Sequence, residues 1–298
     1  MFSVSSWLLP SISLIALILG SITDIKKREV PDFLNFSLIA IGLSLGSIIS
    51  LIQWSIWPIL SSVSGFIFAY LLSALMYYTG QWGGGDAKML MGLGALYGVS
   101  FFGPESFITT SQIPIFFTII ITILFAGAVY SVLYLFGLIF FNWKKFKINL
   151  VKKMKEKQII KIKWFILSIV LISFLLAVFV SDLELRLIFA FISILTFVGF
   201  YMSIFMKVVE KSLMIKSISV NKLVLGDWIA KDVVVNKKII CGRKTLGLEQ
   251  EHIDELKRLG VKKVFVKDGV PFIPGFLLGY LIVLIFGNWL PVVITYLF

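Results

Sequence analysis

Two aspartates in this 298-residue chain stand where a carboxylate could do chemistry. Asp24 closes one long apolar run. Asp86 opens another, directly after three consecutive glycines, Gly83, Gly84 and Gly85. Ionisable groups at membrane depth are costly and tend to be functional. Two carboxylates held close in a site of low dielectric cannot both ionise easily, so they share a proton. The ionised member can deprotonate a water while the protonated member donates to a peptide carbonyl, and the roles reverse as the amine leaves. That is aspartyl peptide hydrolysis, and it needs no metal and no cofactor. The glycines suit it, because residues without side chains let an extended substrate backbone come close. Asp86 falls in the first turn of its helix, where the dipole favours a negative charge, and Lys88 supports that charge from nearby. Taken singly, each aspartate has a plainer reading: Asp86 as a helix cap and Asp24 as a boundary residue in a charged loop.

The elements that must position this pair are membrane helices. The chain is 59% hydrophobic and 15% charged, with a mean hydropathy of +0.99, whereas soluble domains carry ~25% charged residues. One cysteine, Cys241, excludes an intramolecular disulfide and a multi-cysteine zinc site, and one histidine, His252, argues against histidine-based machinery. Cys241 reads as a buried strand residue and His252 as a solvated helix residue. The first residues lack the basic region of a cleavable signal peptide. The expected architecture is an all-α polytopic membrane protein of about 6–8 transmembrane helices, with a small α+β cytoplasmic module near the C-terminus. The candidate spans are Trp7–Thr23, Phe33–Leu51, Trp54–Tyr78, Ala87–Phe102, Ile113–Phe141, Trp164–Val180, Leu185–Met206 and Phe272–Phe298. The fourth is short and glycine-rich, which suits a helix packed among neighbours rather than one facing lipid.

The basic residues set the orientation. Three follow the first span, Lys88 lies at the start of the fourth, nine lie in 142–163 and fourteen between Lys207 and Lys267, which is 27 of 28 on alternate connections. Only Arg186 falls on the other side. By the positive-inside bias the lysine-rich side is cytoplasmic, and both aspartates lie on it at similar depth. A charge that follows the membrane in this way argues against nucleic acid as a partner, despite the net +12. The lipid membrane itself is the expected partner. The 142–163 stretch reads as a positive-inside connector, with an amphipathic surface helix as the alternative.

Four parts follow: 1–141, a catalytic transmembrane core with both aspartates; 142–206, a basic cytoplasmic loop and two further transmembrane helices; 207–271, a small cytoplasmic α+β module; and 272–298, a C-terminal transmembrane helix. Within the module, Leu223–Leu225, Asp232–Val235, Lys238–Ile240 and Val261–Val266 read as short strands and Glu249–Leu259 as an amphipathic helix. Pro31 ends any continuation of the first span, so Asp32 reads first as the start of the second helix and second as a substrate contact.

The segment from Thr23-Asp24-Ile25 through Lys26-Lys27-Arg28-Glu29 to Val30-Pro31-Asp32 resembles the first aspartate motif of the type IV prepilin peptidase family. Gly83-Gly84-Gly85-Asp86-Ala87-Lys88-Met89 resembles its second, Gly-x-Gly-Asp-x-Lys-Leu. About sixty residues and two helices separate the aspartates, as in that family, and the likeness is greatest to the archaeal branch that includes the preflagellin peptidases. The segment Leu225-Gly226-Asp227-Trp228-Ile229-Ala230-Lys231-Asp232 is similar to a C-terminal region of some archaeal members. The resemblance implies an aspartyl endopeptidase that cuts the short basic leader from archaellin- or pilin-like precursors at the cytoplasmic face, with Asp24 and Asp86 as its catalytic pair. Members that also methylate the new N-terminus carry an extension and cysteines that are absent here, so peptidase activity alone is expected. Compact members have six helices, so the count of eight departs from the family after residue 140. A proton-coupled transporter using Asp24 and Asp86 as a relay is the alternative from another class.

Overall fold

The computed structural model describes residues 5–100, 113–235, 238–242 and 247–297. Helices α1 (Ser5–Lys27), α2 (Asp32–Gln53) and α3 (Trp57–Tyr78) form the first three spans. Each is apolar all round, and large side chains such as Ile15, Phe33 and Leu71 stay exposed on the outside of the bundle. That is the pattern of helices whose solvent is lipid.

Helix α4 (Gly84–Tyr97) is different. Its 14 residues rise about 21 Å, short of the ~30 Å hydrocarbon core. It is buried on nearly every face, from Ala87 to Leu96. Its small residues explain how. A β-carbon on Gly92 would lie 2.7 Å from the Leu38 side chain of α2, and one on Gly42 of α2 would lie 2.6 Å from the Ala95 backbone. The helices therefore meet backbone to backbone, and α4 stands as a central post between α2 and α3. The expected end of this segment, at Phe102, lies outside the described residues.

Helix α5 (Ile115–Phe141) is the fourth long span. The basic stretch after it is helical rather than a loop. Trp143–Met154 forms the amphipathic helix α6, with Phe146 buried and its lysines outward. The stretch is thus helical as in the alternative reading, but Phe146, Leu150 and Met154 recur at helical spacing and pack on α5 and the helices that follow rather than on a lipid surface. Helices α7 (Lys157–Phe179) and α8 (Leu183–Val209) form a hairpin packed mainly on itself and joined to the bundle at its lysine-rich end.

After α8 one wide turn, Glu210–Met214, leads into the α+β module. Strand β1 (Ile215–Ser219) pairs antiparallel with β5 (Lys263–Lys267), which also pairs with the short β2 (Trp228–Ile229), giving the order β1-β5-β2. Strands β3 (Val233–Val235) and β4 (Lys238–Cys241) make a separate ribbon. Helix α9 (Gln250–Arg258) turns Ile253 and Leu256 into a core with Val264 and Val266. The expected strand at Leu223–Leu225 is absent, because Val220–Lys222 forms a single helical turn and Asp227 caps the bend that follows through the Val224 N–H at 2.9 Å.

The final segment is two helices, not one. Helices α10 (Ile273–Phe286) and α11 (Trp289–Leu297) bend by 73°. Gly287 takes a φ of +68°, and Asn288 donates to the Ile113 carbonyl at 2.9 Å. Left-handed glycine at a helix end stops the helix there, and Asn288 then fixes the new direction against the start of α5. Among the described residues, six helices are long and apolar enough to cross a membrane, or seven with the bent pair as one span.

Candidate active site

Asp24 lies in the last turn of α1 and Asp86 in the first turn of α4. What brings these ends together is the packing one turn below. A β-carbon on Gly20 would lie 2.9 Å from the Met89 side chain and 3.2 Å from Ile273. Helix α1 runs toward the lysine-rich end and α4 away from it. Asp24, four residues beyond Gly20, and Asp86, three before Met89, therefore rise from that contact on the same side. The two carboxylates are within electrostatic range of each other.

Each carboxylate has one oxygen held by a backbone N–H. Asp86 Oδ2 accepts from Gly83 at 3.0 Å, closing the turn that starts α4. Asp24 is 7% exposed, and its Oδ2 accepts from Ile273 at 3.1 Å. That second donor is the opening of α10, where unpaired N–H groups and the helix dipole favour an anion. The last membrane segment thus completes the site made by the first and fourth. Sequence reasoning missed it, although Pro271 and Pro274 flank the point where a helix could begin.

The three glycines play unequal parts. A β-carbon on Gly85 would sit 3.0 Å from Val30, the buried residue before Pro31. One on Gly83 would meet only Asp86 Oδ2 at 3.5 Å, and one on Gly84 only Tyr77 at 4.0 Å. Lys88 does not reach back to Asp86. Its Nζ is 2.5 Å from Asp32 Oδ1 and 5.3 Å above the Phe36 ring, so the two residues expected to support the site support each other, tying α4 to the start of α2. Below the pair, Trp82 is buried against Phe272 and Phe276 at ring separations of 5.8 and 5.3 Å.

The α+β module lies against this end of the bundle. The Trp228 ring is 3.1 Å from where a Gly80 β-carbon would be, in the turn leading to the glycines. Arg28 reaches Gly269 and Tyr134. Burial raises the Asp227 carboxyl above its ordinary pKa, and the charges of Asp268 and Glu29 add to the effect.

Residues 11–145 match the type IV leader peptidase family, a region that contains both aspartates. Three curated proteins, each named preflagellin peptidase, are similar to this chain. That of Methanococcus voltae is 42% identical over 86 residues, covering 29% of this chain and 36% of that protein. Those of Methanocaldococcus jannaschii and Methanococcus maripaludis are each 39% identical, over 82 and 87 residues, covering 28% of this chain and 35% and 36% of theirs. The chain therefore matches about a third of the length of these relatives. No solved structure matches it.

Proposed function

We propose, from the premise that residues 11–145 resemble the type IV leader peptidase family, that this protein is a membrane aspartyl endopeptidase. Its substrate is an archaellin- or pilin-like precursor, cut between a short basic leader and the hydrophobic segment that follows. Asp24 and Asp86 form the catalytic pair. One takes a proton from water and the other donates to the scissile carbonyl, and the proton returns to the departing amine. Gly83 and Gly84 leave the approach to Asp86 open for the substrate backbone. The observation that carries the reading is the arrival of both carboxylates at one end of α1 and α4, each oriented by a backbone N–H.

The lysine-rich end of the bundle supports a cytoplasmic site. No methyl transfer is assigned. The transporter alternative finds no support: the matching region is that of peptidases, and the aspartates stand at helix ends rather than at the middle of the spans.

Co-expression with a precursor tests the proposal. Asp24→Asn and Asp86→Asn, each still inserted in the membrane, are expected to leave the precursor at full length on a denaturing gel. Mass spectrometry of the wild-type product should show a new, unmethylated N-terminus. Normal processing by either variant would sink the assignment.

A further inference from the structure

Arg28 stands where its own backbone disfavours it. Its φ is +61°, in the left-handed region, at the residue that ends α1. Its N–H donates to the Asp24 carbonyl at 2.9 Å, closing the last turn. Glycine is the usual residue in this conformation because it has no β-carbon to clash. An arginine here gives up backbone comfort for what its side chain reaches.

The side chain reaches one segment, the connector from β5 to α10. Nη1 donates to the Gly269 carbonyl at 3.0 Å, and Nε lies 3.5 Å from Asp268 Oδ1. Nη2 donates to the Tyr134 hydroxyl of α5 at 2.5 Å. Asp268 is held further by Lys216 of β1, and its N–H donates to the Met214 carbonyl at 2.8 Å. Four residues beyond Gly269 comes Ile273, whose N–H is bound to Asp24. The last turn of α1 therefore grips the connector twice, through Arg28 at its start and through Asp24 at its end.

We propose that Arg28 is a positioning residue for Asp24: by fixing Asp268 and Gly269 it sets where the Ile273 N–H meets the carboxylate, and so couples the docked α+β module to the catalytic pair. The inference rests on the peptidase reading above. Only Asp268 to Phe272 separate β5 from α10, and Pro271 among them has a fixed φ, so a shift of β5 is passed to the start of α10 rather than absorbed. The module touches the other motif as well, through Trp228 on Gly80. The loop after Asp24 and the loop before Asp86 thus both meet the same domain.

A purely structural ion pair would give a different result from a positioning one, and Arg28→Gly separates them. Glycine suits the left-handed backbone better than arginine, so α1 should still end properly while the grip on the connector is lost. The full-length protein in detergent would be assayed on a synthetic precursor peptide carrying a basic leader and the start of an apolar segment. For Arg28→Gly the expected result is a kcat at least tenfold below wild type, a KM within twofold, and a melting temperature within a few degrees. Arg28→Lys keeps the charge but cannot span the Gly269 carbonyl, Asp268 and Tyr134 together. It should recover part of the lost kcat, and it carries the comparison if the glycine variant does not insert. A kcat within twofold of wild type in both variants overturns the inference, as does a lowered melting temperature with unchanged kcat per folded molecule. An inactive wild type would instead strike the peptidase reading itself.

Discussion

At the scale of single residues, each aspartate had a plain structural reading by itself, and what the chain did make legible was that both fall at helix ends on the lysine-rich side, where the fold brings them within electrostatic range. The role of the glycines was only partly legible. Read from the chain, Gly83, Gly84 and Gly85 are equivalent gaps before Asp86. In the fold, Gly85 is needed by the protein, because Val30 fills the space where its side chain would go. Gly83 and Gly84 meet nothing closer than 3.5 Å. The distinction gives opposite expectations for alanine. Gly85→Ala must push Val30 and the loop after Asp24 outward, which should cost about 1–2 kcal/mol of stability and lower the melting temperature along with activity. Gly83→Ala and Gly84→Ala should melt like wild type. Any loss of precursor cleavage in them, read as kcat/KM, would then report crowding of the substrate backbone. Equal melting temperatures for all three variants would show that Val30 does not set the requirement.

At the scale of elements, the placing of α10 decides whether Asp24 has its donor. Helix α10 approaches α5 through Gly275 and Gly279, four residues apart on one face. A β-carbon at Gly275 would lie 2.7 Å from the Gly127 backbone, and one at Gly279 would lie 2.6 Å from the Ile123 backbone. Neither partner is a flexible side-chain end, so neither can move aside. Such small-residue spacing lets membrane helices touch along their backbones. Gly279→Leu should force α10 from α5 at a cost of about 1–3 kcal/mol, and the start of α10 would move with it. Loss of cleavage together with a lower melting temperature in detergent is expected. A fully active Gly279→Leu would show that the Ile273 N–H is not needed where it stands. This pairing could have been read from Gly275-Phe276-Leu277-Leu278-Gly279 alone, but the run also reads as an ordinary span, and nothing local says which helix it meets. Strand β1 was hidden for a related reason. Ile215-Lys216-Ser217-Ile218-Ser219 follows an apolar helix without a proline or glycine to end it, and only the partner strand β5 defines it.

For the whole molecule, the distribution of lysines was legible from the chain because the rule behind it is electrostatic and needs no tertiary contact. The docking of the α+β module was not, since it depends on side chains more than a hundred residues apart. Trp228 lies against Gly80, and Arg28 against Gly269. Gly80 has a φ of +72°, and its bare backbone is what lets the outer edge of the indole, Cη2 and Cζ3, come against the turn before the glycines. A module of this size has a small core of its own, Val220, Ile229, Leu256, Val264 and a few neighbours, and domains this small are marginal alone. The bundle is therefore part of what keeps it folded, and the contact works in both directions. Trp228→Ala would remove a half-buried indole, worth about 1–2 kcal/mol of apolar contact. The loss should fall on the docking and not on the membrane helices. Protease sites within 207–271 should be cut several times faster than in wild type, while the bundle keeps its melting temperature and cleavage of the precursor drops severalfold. Trp228→Phe, which keeps an aromatic ring but falls short of Gly80, should restore only part of the protection. If Trp228→Ala were cut no faster and processed precursor at the normal rate, the module would be an appendage of the bundle and not a part of its site.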